Sequence, residues 1–338
     1  MEAVLWDRVG ELADRAANLS DLRHHKLHLV AAQRLRERGE TVPEELRHLE
    51  RHAAAIGLTA GLTIRMLRDA TSQPFLVMKG PEVAARWPNP RLRPWTDLDV
   101  LVDDACAFQA ALQRAGFVEL GEPEDYDDSH HLRPLGHPRL PIAIEVHRRP
   151  KWPTADAPPI RELFAAAVPA SFGVEGVLAP APEHHAVLLA GHAWGHDPLS
   201  SIGALADITA LMLECGRDRV DAVARDWGVG RIWHATARAL DELLLTPTRD
   251  GDAPIWRRHL HESRERTVFE GHVERLVGPV AAVPVAAAPA AATRAVLRLL
   301  RPWPGERWSD KLARSRTAIR NASMRESEHD EQLFGRTT

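Results

Sequence analysis

Residues 79–102 read KGPEVAARWPNPRLRPWTDLDVLV, and the Asp97-Leu98-Asp99 triplet near the end of this stretch decides how the rest of the chain is read. Leu98, Val100, Leu101 and Val102 make an apolar run of strand character. Side chains alternate along a strand, so Asp97 and Asp99 project from one face with Cα atoms about 7 Å apart. Two carboxylates placed in that way can share a divalent cation. Hard cations such as Mg²⁺ take oxygen ligands and commonly arrive with substrate phosphates, which points to phosphoryl or nucleotidyl transfer.

The flanks extend the pattern in both directions. Phe75-Leu76-Val77-Met78 predicts a short buried strand, and Gly80-Pro81-Glu82 predicts a helix start with Pro at the first helical position and an acidic residue in the first turn. Free backbone N–H groups at such a start can hold an anion. After Val102, Asp103 or Asp104 can cap a helix running through Gln113, with Gly116 ending it. Leu140 to His147 then forms an apolar run in which Glu145 and His147 share one face, which supplies a third carboxylate.

In this order (strand, Lys-Gly turn, helix, Asp-x-Asp strand, helix, Glu-x-His strand) the chain resembles the polymerase-beta type nucleotidyltransferase superfamily, and within it the bacterial uncharacterised nucleotidyltransferase proteins. The matching residues are Met78-Lys79-Gly80, Arg93-Pro94-Trp95-Thr96-Asp97-Leu98-Asp99-Val100-Leu101-Val102, Ala115-Gly116-Phe117 and Ile144-Glu145-Val146-His147, with a later echo in a helix pair around His192 and Asp207. The likeness spans residues 1–275 in layout and 75–150 in motif. Where the superfamily has Gly-Ser, this chain has Gly80-Pro81, which removes a hydroxyl and a backbone donor.

The resemblance implies an α+β fold with a mixed-sheet core flanked by helical regions. It also implies Mg²⁺ or Mn²⁺ held by Asp97, Asp99 and Glu145, and an NTP donor, with ATP as the expected one. Glu145 is the candidate general base for an acceptor hydroxyl on a small molecule, peptide or protein. Lys79, Gly80 and Arg93 are expected at the phosphates, and His147 beside them. His192 and Asp207 are expected to line the donor or acceptor pocket, the bland alternative being a buried His–Asp hydrogen bond. Trp95 either stacks on a base or packs beneath the strand. The competing reading is a catalytically idle nucleotide-binding or scaffold protein in a biosynthetic or toxin–antitoxin setting.

Four regions are expected: 1–72 helical, 73–150 the nucleotidyltransferase core, 151–278 helical, and 279–338 a linker and arm. In the first, apolar residues at helical spacing break between Gly39 and Pro43, and His24, His25, His28, His48 and His52 read as a solvated basic face. In the third, His192-Ala193-Trp194-Gly195-His196 has the spacing of a zinc-protease helix but lacks its glutamate. Asp127 to Leu132, with His130 and His131, reads as a further strand. Pro284 and Pro289 make Pro279 to Ala292 an irregular segment, and the tail beyond Thr293, with Trp303 and Trp308, packs back on the body.

Forty-three basic and 47 acidic residues give a net charge of −4, which carries no global field for nucleic acid. RNA modification, which would want a basic surface, is disfavoured. Two cysteines, Cys106 and Cys215, form neither a disulfide framework nor a zinc spacing, and Met1 to Arg8 carries charges where a secretion signal needs an apolar core. A cytoplasmic protein with no membrane association is expected.

Overall fold

Alternation separates the residues of 97–101 onto two faces of a sheet, and those faces carry different layers. In a computed structural model, which describes residues 2–122, 126, 129–154, 157–246, 253–302 and 305–334, the chain is α+β. The described strands are β1 (Phe75–Val77), β2 (Asp97–Leu101), β3 (Val118–Glu119), β4 (Leu135–His137), β5 (Leu140–His147), β6 (Val168–Pro169) and β7 (Val177–Ala179). They form one mixed sheet in the order β3-β4-β5-β2-β1-β7-β6.

The first helices are α1 (Glu2–Arg15), α2 (Leu19–His24), α3 (His28–Glu37) and α4 (Glu44–Ala70), with the break at Gly39 to Pro43 where it was expected. Next come α5 (Pro81–Ala84), α6 (Ala105–Arg114) and α7 (Ile160–Ala165). Asp104 caps α6, its side chain accepting from the Ala107 N–H at 2.9 Å. A helical layer follows: α8 (Pro182–His196), α9 (Ile202–Cys215), α10 (Arg217–Asp226) and α11 (Gly230–Leu240). The C-terminal helices are α12 (Arg258–His261), α13 (Val268–Ala281), α14 (Ala288–Leu300), α15 (Trp308–Arg320) and α16 (Glu326–Phe334).

One sheet face buries Phe75, Val77, Leu98, Val100, Ile142, Ile144 and Val146 against Ile56, Ile64 and Leu67 of α4 and Phe108 and Leu112 of α6. On the other face Leu76, Met78 and Leu101 join a second core built from α1, α8, α9 and α11. Asp97, Asp99, Glu145 and His147 belong by parity to this second face. The acidic site therefore opens between the sheet and the α8–α9 layer.

Several expectations change. The sheet takes β6 and β7 from beyond residue 150, because Phe75 and Leu76 of β1 pair in parallel with Val177 and Leu178. Strands of two or three residues have too short a pattern to read in advance. His25 is fully buried, its Nε2 2.8 Å from the Arg264 carbonyl, and burial pushes its pKa down to about 3. His24 and His28 are also partly buried, so only His48 and His52 lie on an exposed face. Residues 279–292 are largely helical, since Pro289 sits in the first turn of α14 where its missing N–H costs no hydrogen bond.

The arm packs back on the body: Arg325 reaches buried Asp21 at 3.0 Å, and Glu326 lies against Gly271 of α13. Trp308 is 62 % exposed, and Trp303 lies outside the described residues. Asp127 and Asp128 also lie outside them, while His131 bridges antiparallel to His147. Among the described residues no helix is long and apolar enough to cross a membrane.

Candidate active site

β2 and β5 run parallel with Asp99 opposite Glu145 and Asp97 opposite Ala143. This register brings the second and third carboxylates of the sequence reading side by side. His147, two residues beyond Glu145 on the same face, places Nε2 3.0 Å from Asp99 Oδ1 and 3.5 Å from Glu145 Oε2. One ligand atom each from Asp99, Glu145 and His147 lie within 4.8 Å of one another, the single such metal-capable group among the described residues. Asp97, whose cross-strand neighbour is Ala143, stands outside it.

Asp97 still feels the group. Burial first, and then the charges of Asp99 and Glu145, raise its carboxyl pKa, with Lys79 acting against them. Burial would also raise Asp99, but the Lys79 ammonium and the His147 hydrogen bond outweigh it and hold Asp99 well below the usual carboxylate range. Conversely, burial opposes charge on His147, and the hydrogen bonds it donates to Asp99 and Glu145 raise its pKa nonetheless. Asp99 Oδ2 is buried with no hydrogen-bond partner. An orphaned carboxylate oxygen inside a cluster of oxygen and nitrogen donors fits a bound cation.

Lys79 follows β1, which is antiparallel to β2, so it emerges beside Asp99. Its Nζ lies 3.6 Å from Asp99 Oδ1 and 2.7 Å from His192 Nε2 on α8. Burial, then the Lys79 charge, lowers the His192 pKa well below its ordinary value, so the neutral ring accepts from the ammonium.

Gly80 adopts φ 61°, ψ −126°, a conformation open to glycine and costly for other residues. A Cβ there would stand 3.1 Å from the Asp97 carbonyl oxygen and 3.4 Å from Trp95 Cε3. The helix after it has only four residues, so the turn offers less of an anion site than the sequence suggests. Half-buried Trp95 packs beside Gly80 and against the sheet core.

Arg93 and Asp207 meet each other rather than the cluster. Arg93 Nη2 donates to Asp207 Oδ2 at 2.8 Å and Nε to Oδ1 at 2.9 Å, while Nη1 donates to the Gly80 carbonyl at 3.2 Å. Trp87 Nε1 adds a further bond to Asp207 Oδ1 at 2.8 Å. His192 and Asp207 do not bond to each other: His192 partners Lys79 and Asp207 partners Arg93.

A family model described as an uncharacterised nucleotidyltransferase matches residues 12–244 of the 338. The chain belongs to this nucleotidyltransferase family. No curated protein and no solved structure matches it. Membership supports general nucleotidyl transfer with an NTP as substrate. The matched span includes the helical layer that contributes His192 and Asp207 as well as the sheet.

Two basic residues of this nucleotidyltransferase escaped the sequence reading. Lys26 lies at φ 59° in the turn between α2 and α3. Burial, then the Arg93 charge, lowers its pKa, with Asp207 and Asp97 pulling the other way. Lys151, just past β5, is lowered by burial and by Lys79, against Glu145 and Asp99. Lys151 thus feels the carboxylates of the cluster, and Lys26 feels Asp97 beside it; both sit on loops whose path no local spacing reveals. His130 and His131 border the cluster: His131 Nε2 is 3.8 Å from Glu145 Oε2, and burial with the His147 charge pushes His130 down to about 3.

Proposed function

We propose that the protein is a metal-dependent nucleotidyltransferase that moves a nucleoside monophosphate from an NTP, ATP being the expected donor, to a hydroxyl of a small molecule, peptide or protein. The observation that carries this reading is the parallel register of Asp99 with Glu145, which joins two carboxylates to Lys79 in a chain of this family. Asp99 and Glu145, with Asp97 beside them, would hold Mg²⁺ or Mn²⁺. Such an ion neutralises phosphate oxygens and lowers the pKa of a bound hydroxyl.

The remaining chemistry belongs to the side chains. Glu145 takes the proton of the acceptor hydroxyl, whose oxygen bonds to the α-phosphorus as the bond to the β-phosphate oxygen breaks and pyrophosphate leaves. Lys79, joined by Lys26 and Lys151, supplies positive charge for the polyphosphate. His192 fixes the Lys79 ammonium through the 2.7 Å contact. Arg93 and Asp207 act on the site indirectly, by clamping the Gly80 turn. The free thiols of Cys106 and Cys215 suit a reducing cytoplasm.

Incubating the protein with each labelled NTP, Mg²⁺ or Mn²⁺ and lysate fractions, followed by mass analysis, tests the reading. A nucleoside monophosphate adduct is expected with the wild type and none with Asp99→Asn. Equal adduct formation by the two would refute the assignment.

A further inference from the structure

The donor set at Asp99 is richer in nitrogen than an oxygen-seeking ion requires. His147 is fully buried and turns Nε2 towards Asp99 Oδ1 at 3.0 Å and Glu145 Oε2 at 3.5 Å. Its other nitrogen, Nδ1, makes no hydrogen bond, so the ring's polar contacts are with the two carboxylates alone. Around it the rings of His130, His131 and His147 lie in mutual contact with centroids 4.7 to 5.3 Å apart, and His192 stands 6.4 Å from His130. Four imidazoles therefore border a pair of carboxylates.

Magnesium demands a nearly octahedral shell of oxygens and keeps much of its water. Imidazole suits first-row transition ions, which accept nitrogen and oxygen ligands together. The strand geometry makes His147 a ready ligand without rearrangement: it lies on the same pleat face as Glu145, and Asp99 is opposite Glu145 in register. The unpartnered Asp99 Oδ2, buried with the rest of that side chain, is an independent sign that one carboxylate oxygen is left for a ligand, beyond what Lys79 and His147 take up at Oδ1.

We propose that His147 is a ligand, with Asp99 and Glu145, of the ion in this site, and that the site takes a first-row transition ion in preference to magnesium. The proposal rests on the metal-dependent reading above and adds to it the nitrogen ligand and the class of ion.

The test uses the full chain, freed of metal by chelation and without nucleotide. Calorimetric titrations with MnCl₂ and MgCl₂ give the two affinities, and electron spin-echo modulation of bound Mn²⁺ reports directly coordinated nitrogen. Manganese should bind at least about 10-fold more tightly than magnesium, with ¹⁴N modulation that changes on ¹⁵N-histidine labelling. His147→Gln should lose that modulation and about 10- to 100-fold in manganese affinity. Should this variant fail to fold, the labelled wild type decides, since its modulation needs no substitution.

Bound manganese without nitrogen modulation, or equal affinities for the two ions, would overturn the proposal and leave the transferase reading standing. Modulation that persists in folded His147→Gln would overturn the role of His147. Metal binding that is the same in wild type and Asp99→Asn would instead remove the site on which both readings depend.

Discussion

Arg93 and Asp207, 114 residues apart in sequence, close a buried two-point ion pair that ties the loop before β2 to helix α9. Both side chains are less than a tenth exposed. A buried pair opened by removing one partner leaves an uncompensated charge, at a cost of about 3–5 kcal/mol. Asp207→Asn should therefore lower stability by about that amount in urea unfolding. An unaltered unfolding midpoint combined with lost NTP binding would assign Arg93 to the phosphates instead.

Gly80 is the second structural hinge of the site. Alanine there must adopt φ near 61° and press its Cβ on the Asp97 carbonyl, a backbone atom 3.1 Å away. The strain should cost about 1–3 kcal/mol and shift the strand that carries the carboxylates. Gly39, at φ 72° with nothing within 4 Å of its Cβ position, is the control. Gly80→Ala should lose both stability and metal affinity, whereas Gly39→Ala should lose stability alone. Calorimetry on the two variants checks the contrast.

The parts of this fold legible in the sequence are those with a local period. β5 has the bounds that the apolar pattern of Leu140 to His147 predicts, because it alternates over eight residues, and α9 falls in the region read as helical, where its apolar residues keep helical spacing over 14. Asp99 and Glu145 could be placed on one face by parity alone, but their direct opposition depends on the parallel register, which parity does not determine. His147 was legible as a neighbour of Glu145 and not as a member of the metal-capable group. The Arg93–Asp207 pair was not legible, because its acid lies on a distant helix. Lys26 and Lys151 sit in turns where no periodicity operates, and the burial of His25 comes from tertiary packing against Arg264.

Glu274 on α13 offers a pH-dependence separate from the site. Burial pushes its pKa up to about 7, against the attraction of Arg266, whose Nη1 lies 3.8 Å away. Asp197 and Glu326 add to the upward shift, and Arg275 opposes it. Between the ordinary glutamate value of about 4.5 and about 7, the folded chain keeps a proton that the unfolded chain has released. Stability therefore falls as pH rises through that window and stays lower above it. Glu274→Gln should flatten this limb and melt higher than the wild type at pH 8. Scanning melting temperature from pH 5 to 8 for both proteins tests this; parallel profiles would show that Glu274 is charged in the fold throughout.

Lys79 separates a phosphate-binding role from a purely structural one. Its ammonium lies 2.7 Å from His192 Nε2 and 3.6 Å from Asp99 Oδ1, so in the absence of ligand it already has an acceptor and a counter-charge. If it also meets the polyphosphate, Lys79→Met removes a charge-assisted contact worth about 1.5–3 kcal/mol and should weaken ATP binding by about 10- to 100-fold. Affinity for a nucleoside monophosphate, which has fewer phosphate oxygens to offer, should fall less. Metal binding should move the other way: a cation near Asp99 repels an incoming divalent ion, and its removal leaves affinity equal or higher. If Lys79 serves only as counter-ion to Asp99, metal affinity changes in the same sense but ATP affinity in the presence of metal does not fall. Titrating ATP, AMP and Mn²⁺ into wild type and Lys79→Met at constant ionic strength distinguishes the two, and unchanged ATP affinity would take Lys79 out of the phosphate site.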